Sequence, residues 1–248
     1  MILAILQARA SSSRLPGKVL KPLLGKPMLA RQIERILRSE LIDKLVVATS
    51  VEPEDDAIEK LCKEENIECF RGSLNDVLDR FYQAAKPYNP EHVVRLTGDC
   101  PLTDWEITDR LIKFHLIGDY DYSSNALEPT YPDGLDAEIM KFSALECAWR
   151  LADSKPEREH VTLYIYKHPI QFKIGKEKNS IDLSQLRWTV DEPEDFVLVE
   201  NIYRNLYYTN PAFKTQDVLA WLEANSKMKT INTVYKRNEG LNKSLGEL

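Results

Sequence analysis

Apolar residues run along this chain in short blocks separated by stretches of helical spacing. Ile2-Leu3-Ala4-Ile5-Leu6, Leu45-Val46-Val47-Ala48, Ile67-Glu68-Cys69-Phe70 and Val93-Val94-Arg95-Leu96 have strand length. Near-continuous apolar runs suit parallel strands covered on both faces. Between them, Leu29, Ile33, Ile36 and Leu37 recur at a spacing that gives a helix one apolar stripe, as do Ile58, Leu61 and Cys62 within 54–65 and Val77, Leu78, Phe81 and Ala85 within 75–85. Pro53 suits the start of the second helix, where its missing N–H costs little. Strands alternating with crossover helices predict an α/β fold with a mostly parallel, doubly wound sheet.

The rhythm breaks near residue 120. Tyr120-Asp121-Tyr122-Ser123 and Leu135-Asp136-Ala137-Glu138-Ile139 read as short strands around the turn Pro132-Asp133-Gly134, followed by helical patterns at 143–152 and 157–166 and a strand at 171–174. Residues 120–180 thus form an inserted α+β region. Trp188-Thr189-Val190 predicts one more strand, stopping at Asp191, and 196–207 and 214–225 read as amphipathic helices. A single domain over 1–225 is expected, with 226–248 as a polar tail whose last stretch is expected to be partly disordered.

Open α/β sheets place ligands at the C-terminal ends of their strands. The first strand ends in Gln7-Ala8-Arg9-Ala10-Ser11-Ser12-Ser13-Arg14-Leu15-Pro16-Gly17-Lys18, with Lys21 beyond. Arg forks and Lys ammoniums suit phosphate oxygens, and a serine-rich loop with glycine lets backbone N–H groups approach the same anion. A polyphosphate is the expected guest. The spacing matches neither the ATPase phosphate loop nor the dinucleotide fingerprint. At the fourth strand's end, Thr97-Gly98-Asp99-Cys100-Pro101 holds a carboxylate in a rigid turn, and Asp191 follows the later strand. Two strand-end carboxylates suit one Mg²⁺, which completes its shell with water and substrate phosphates; the alternative for Asp99 is a turn aspartate capping backbone N–H groups.

Composition sharpens this. The 248 residues are 43% apolar and 29% charged, and the net charge of −6 argues against a nucleic-acid footprint. The cations of the first loop therefore stand out. No apolar run approaches the roughly 20 residues that span a bilayer, and the N-terminus lacks the basic region of a secretory signal, so a cytoplasmic protein without membrane insertion is expected. Cys62, Cys69, Cys100 and Cys147 form no Cys-x-x-Cys pair and read as reduced, mostly buried thiols.

Gln7-Ala8-Arg9, Ser12-Ser13-Arg14-Leu15-Pro16-Gly17-Lys18 and Lys26-Pro27-Met28-Leu29 resemble the opening of the cytidylyltransferases that activate acidic sugars as CMP-sugars, especially the branch named for spore-coat polysaccharide biosynthesis. The Arg-Leu-Pro-Gly-Lys core is also similar to that of the CMP-Kdo synthetases. Gly98-Asp99-x-Pro101 and Asp191-x-Pro193-Glu194-Asp195 match further family segments, which implies Mg²⁺ held by Asp99 and Asp191. The resemblance implies a Rossmann-like nucleotidyltransferase domain in which Arg9, Arg14 and Lys18 act on the triphosphate. Gln7, Ala8, Ser13 and Gly98 would help hold the nucleotide, and Arg71, before Gly72-Ser73, would face the base or ribose. It places the acceptor side and a homodimer contact in the inserted region. There, Asp136 and Glu138 either line the acceptor pocket or form the wet face of a strand. Arg158 with His160 forms either an anion clamp or ordinary helix-surface charge. The expected reaction is CMP transfer from CTP to an acidic sugar of the nonulosonic type. A GTP-using enzyme, a phosphorylated or phosphonate acceptor, and a non-catalytic nucleotide sensor remain as alternatives.

Overall fold

Leu3, Ala4, Ile5 and Leu6 have no exposed surface, which places the first strand in the middle of the sheet with both faces covered. In the computed structural model, which describes residues 1–237 and Gly246, β1 (Ile2–Gln7) leads through a helical turn (Lys18–Leu20) and a small ribbon, β2 (Pro22–Leu23) with β3 (Lys26–Pro27), into α1 (Met28–Ile36). There follow β4 (Lys44–Ser50), α2 (Asp56–Glu64), β5 (Glu68–Gly72), α3 (Val77–Ala85), β6 (His92–Thr97) and α4 (Trp105–Gly118). The inserted region contributes β7 (Tyr122–Ser124), β8 (Glu138–Lys141), α5 (Phe142–Leu151), α6 (Lys155–Glu159), α7 (Leu163–Lys167) and β9 (Ile174–Lys176); α8 (Pro193–Leu206), α9 (Thr215–Ala224) and α10 (Ser226–Lys229) close the described chain.

Seven strands form one sheet in the order β5-β4-β1-β6-β8-β7-β9. β1 pairs in parallel with β4 and β6, and β5 extends the parallel half beyond β4. β8 runs antiparallel to both β6 and β7, while β9 lies parallel to β7. The expected mostly parallel, helix-covered sheet is therefore present, with the antiparallel strand confined to the inserted region. Alternation along β1 sends Ala4 and Leu6 into a core shared with α1, α2, α4, α8 and α9, and Leu3 and Ile5 into a second core with α3, α5 and α7. Each buried Leu or Ile side chain contributes roughly 1.5–3 kcal/mol, so a charge at Ile5 would break the second core at its centre.

Several elements depart from expectation. Trp188-Thr189-Val190 is not a strand: Trp188 and Thr189 donate to Asp133 O, and Val190 donates to Asp99 O at 2.8 Å, so backbone bonds to two loops replace a ladder. The helix expected at 157–166 is two short ones, α6 and α7, broken at His160–Thr162, where Val161 has φ +27°. A buried β-branched residue in that region is strained and ends a helix. β8 begins at Glu138, so Asp136 lies ahead of it in irregular chain. α4 was not anticipated; Asp104 caps it by accepting from the Glu106 N–H.

Candidate active site

The basic loop is held from both ends. Asp55, buried at the start of α2, accepts from the Ala10 N–H at 2.7 Å and from the Ser50 N–H and hydroxyl, tying the loop to the end of β4. Burial pushes its carboxyl up, yet those hydrogen bonds outweigh burial and hold it below its ordinary value. Gly17, at φ +67°, makes a left-handed turn, and its N–H returns to Ala10 O at 2.9 Å.

The loop rims a cleft of about 890 Å³. Gln7, Ala8, Arg9, Ser13, Arg14, Lys18, Gly98, Asp99, Asp136, Arg158, His160 and Asp191 all border it, so most residues singled out from the sequence meet in one place. At its floor the Lys18 ammonium lies 2.7 Å from Asp191 Oδ1, 2.8 Å from Val190 O and 3.3 Å from Asp99 Oδ2. Burial works against its charge, but the two carboxylates overcome this and raise its pKa. Reciprocally, burial raises the Asp99 carboxyl while the Lys18 charge and the hydrogen bonds of Thr97 and Cys100 bring it down to about 2. Arg14 spans Asp191 at 3.0 Å and Glu192 at 3.1 Å.

Three oxygens of hard character, from Asp99, Asp191 and Val190, thus converge on one positive charge. Such a donor set suits Mg²⁺, with the ammonium standing where a cation is welcome. Among the described residues no group of three or more His, Cys, Asp or Glu side chains is arranged for a metal ion, so an ion held by two carboxylates would draw its remaining ligands from substrate and water.

The Asp191 segment is braced from below. Arg187, buried, bonds Asp195 through Nε at 3.0 Å and a terminal nitrogen at 2.9 Å, and reaches Asp133 and Asp191 at 3.0 and 3.2 Å. Asp195 has no exposed surface and accepts from the Asp191 and Glu192 N–H groups at the start of α8, where negative charge suits the helix dipole. Gly134, at φ +107°, lets the Asp133 loop lie against this segment: a Cβ there would stand 2.4 Å from Thr189 N. Cys100 is buried, and burial beside Asp99 pushes its thiol far up, so it is a packing residue.

The cytidylyltransferase family profile matches residues 3–239. The chain belongs to the cytidylyltransferase family. It is 38% identical over 234 residues to an uncharacterized protein of Methanocaldococcus jannaschii, covering 94% of each chain. It is 36% identical over 212 residues to the spore coat polysaccharide biosynthesis protein SpsF of Bacillus subtilis, covering 82% of this chain and 86% of that protein. A solved cytidylyltransferase from Leptospira borgpetersenii superposes with a TM-score of 0.88 at 33% identity, covering 95% of this chain and 99% of the other. Among the described residues no helix is long and apolar enough to cross a membrane.

Within this cytidylyltransferase, two expected site residues lie elsewhere. Arg71 does not border the cleft: it donates to Ser50 O and Glu52 O and pairs with Asp56 and Glu59, stapling the end of β5 to α2. Glu138 is buried rather than lining the acceptor pocket. The β6–β8 register sets it opposite Arg95, with which it pairs, and it also accepts from the Tyr122 and Thr162 hydroxyls. Its carboxyl feels burial first, but these partners hold it below its ordinary value.

Arg158 borders the cleft with its guanidinium committed to Asp76, the N-cap of α3, at 2.6–3.0 Å. Burial lowers the His160 imidazole and so disfavours a second cation there. Lys21 lies over the Phe196 ring, 5.0 Å from its centroid, and is not a lining residue. Arg80, Arg95, Arg187 and Lys236 border the cleft without having been singled out, and Asp133, read from the sequence as part of a turn, borders it too. Arg80 sits in an ordinary helical stripe, and burial together with Arg9 lowers its guanidinium to about 10; only the fold reveals that the stripe's edge faces a ligand space.

Proposed function

We propose that this cytidylyltransferase moves CMP from CTP to an acidic sugar of the nonulosonic type, for a surface polysaccharide or glycan. The observation that carries the reading is the cleft floor, where Lys18 lies between Asp99 and Asp191 with Arg9, Ser13 and Arg14 on the rim above. Arg9, Arg14 and Lys18 hold the triphosphate, with Gln7, Ala8 and Gly98 beside it. An acceptor hydroxyl oxygen attacks the α-phosphorus in line. A new P–O bond forms, the bond to the bridging oxygen of the β-phosphate breaks, the hydroxyl proton passes to water and pyrophosphate leaves. Lys18 and Arg14 oppose the negative charge that grows on the departing oxygens, worth most in a partly dehydrated cleft. Asp99 and Asp191 would hold Mg²⁺, which when bound shields the triphosphate charge and favours the leaving group. The enzyme works as a homodimer in the cytoplasm, the dimer resting on the family resemblance of the inserted region.

Asp133 and Asp136 on the cleft wall favour a polyhydroxylated acceptor, because carboxylates accept hydrogen bonds from hydroxyl groups. A phosphorylated or phosphonate acceptor is the second reading, favoured by Lys155 and Lys236 at the cleft edge. A pyrophosphate-release screen with Mg²⁺ and CTP, GTP or UTP decides between them. Nonulosonic acids, Kdo, sugar 1-phosphates and phosphonates would each be offered. Turnover is expected with CTP and a sugar acid; turnover confined to GTP, or to phosphorylated acceptors, would replace this reading.

A further inference from the structure

The C-terminal segment returns to the acidic wall of the cleft. Asn232, buried, donates its side-chain amide to Arg187 O and Asp195 Oδ1 at 2.9 and 2.8 Å, and Tyr235 donates to Glu194 Oε2 at 2.9 Å. The Lys236 carbonyl accepts from Arg187 at 3.3 Å. These contacts deliver Arg237 to the two carboxylates. It bonds Asp136, donates to Tyr131 O at 3.2 Å and stands 3.9 Å from Asp133 Oδ1, while Arg187 takes the other Asp133 oxygen at 3.0 Å.

Asp133 and Asp136 face one cleft, and burial pushes both carboxyls up against the pull of Arg237; the Asp136 charge helps bring Asp133 to about 7, and Glu138 and Asp99 add to the rise at Asp136. Unopposed, such a pair would repel an acidic acceptor and each other. A guanidinium reaching both removes much of that repulsion and fixes their orientation, while a carboxylate has about four lone-pair sites and so retains room for hydroxyl hydrogens.

We propose that Arg237 is a positioning residue for the acceptor, holding Asp133 and Asp136 at the cleft wall so that their oxygens receive sugar hydroxyl groups. This rests on the sugar-acid reading above. It gives the segment 230–237, far in sequence from the nucleotide loop, a part in acceptor affinity and none in CTP affinity.

The test is steady-state kinetics of the full chain with CTP, Mg²⁺ and either N-acetylneuraminate or Kdo, comparing the native protein with Arg237→Ala and Arg237→Lys. The alanine variant is expected to raise the sugar-acid KM about tenfold or more while the CTP KM and kcat stay within about threefold, and lysine is expected to recover part of the loss. A role limited to anchoring the segment would not split the two KM values. Stabilisation by CTP in a thermal melt reports whether each variant keeps its nucleotide half. If alanine loses that stabilisation, lysine decides: a raised sugar-acid KM beside a native CTP KM supports the role, and native values for both overturn it. Equal rises in both KM values, or no change in either variant, also overturn it. A native protein inactive on every sugar acid would remove the sugar-acid reading itself, whereas an active native protein with unmoved variants removes only the role of Arg237.

Discussion

In the parallel half of the sheet the charged residues that follow β1 reach the cleft, while in the antiparallel half Glu138 and Arg158 are paired inward. At the end of β1, Arg9, Ser13, Arg14 and Lys18 reach the cleft from a loop pinned by Asp55. Across β6, Glu138 closes a network with Arg95, Tyr122 and Thr162, and Arg158 is tied to Asp76. The cause is topological. Parallel strands end together at one edge, so the residues that follow them share a ligand space. An antiparallel strand is registered along its neighbour, which sets side chains opposite each other and favours ion pairs within the sheet.

The largest expected effect comes from breaking the parallel half. Replacing Lys18 by Ala should lower CTP turnover by about a hundredfold or more, since it removes a preorganised cation from the developing charge. The side chain is buried between two carboxylates rather than free in a loop, so the variant should also melt lower without Mg²⁺ and regain more than the native protein when Mg²⁺ is added. Near-native turnover would contradict the account.

The inward half breaks differently. Glu138→Gln should cost about 3 kcal/mol of stability in denaturant unfolding, because Arg95 keeps its charge and loses its partner, with the CTP KM moved little. A large rise in that KM at unchanged stability would place Glu138 in the site after all.

Acid unfolding gives a smaller effect that separates the halves further. The Asp99 carboxyl sits at about 2, below its ordinary value of 3.8, so it takes up its proton more readily when unfolded. Its stabilising contribution is present above about pH 4 and is lost as pH falls from about 4 toward 2. In Lys18→Ala the main opposing charge is gone and burial prevails, so this part of the acid dependence should vanish; an unchanged profile would mean that Lys18 does not set it. The smallest effect is expected at Arg71, where alanine should leave the CTP KM within about twofold, the side chain being spent on Asp56 and Glu59. A tenfold rise would restore the base-side role.

Much of the parallel half was legible because apolar runs and the residues after them are local in sequence. Leu3 to Leu6 announced the central strand, and Asp99 announced a strand-end carboxylate. Asp191 reached the cleft as expected, though on an irregular segment pinned to Asp133 and Asp99 rather than on a strand. The register that pairs Glu138 with Arg95 spans distant segments and leaves no local trace. Arg187, Asn232 and Arg237 act through long-range contacts, so their polar, unpatterned surroundings read as tail and loop. The last stretch expected to be disordered lies mostly outside the described residues.

The proposed transfer of CMP to a hydroxyl oxygen of a sugar acid is tested most directly at the bond it makes. Phosphorus NMR of the purified protein with CTP, Mg²⁺ and a mixture of a nonulosonic acid, Kdo, a sugar 1-phosphate and a phosphonate reads the new bond itself. The account predicts that the CTP resonances give way to pyrophosphate and one uncoupled phosphodiester signal, and that Lys18→Ala forms neither on the same timescale. A pair of mutually coupled phosphorus signals, the mark of CMP joined to a phosphate or phosphonate oxygen, would contradict it.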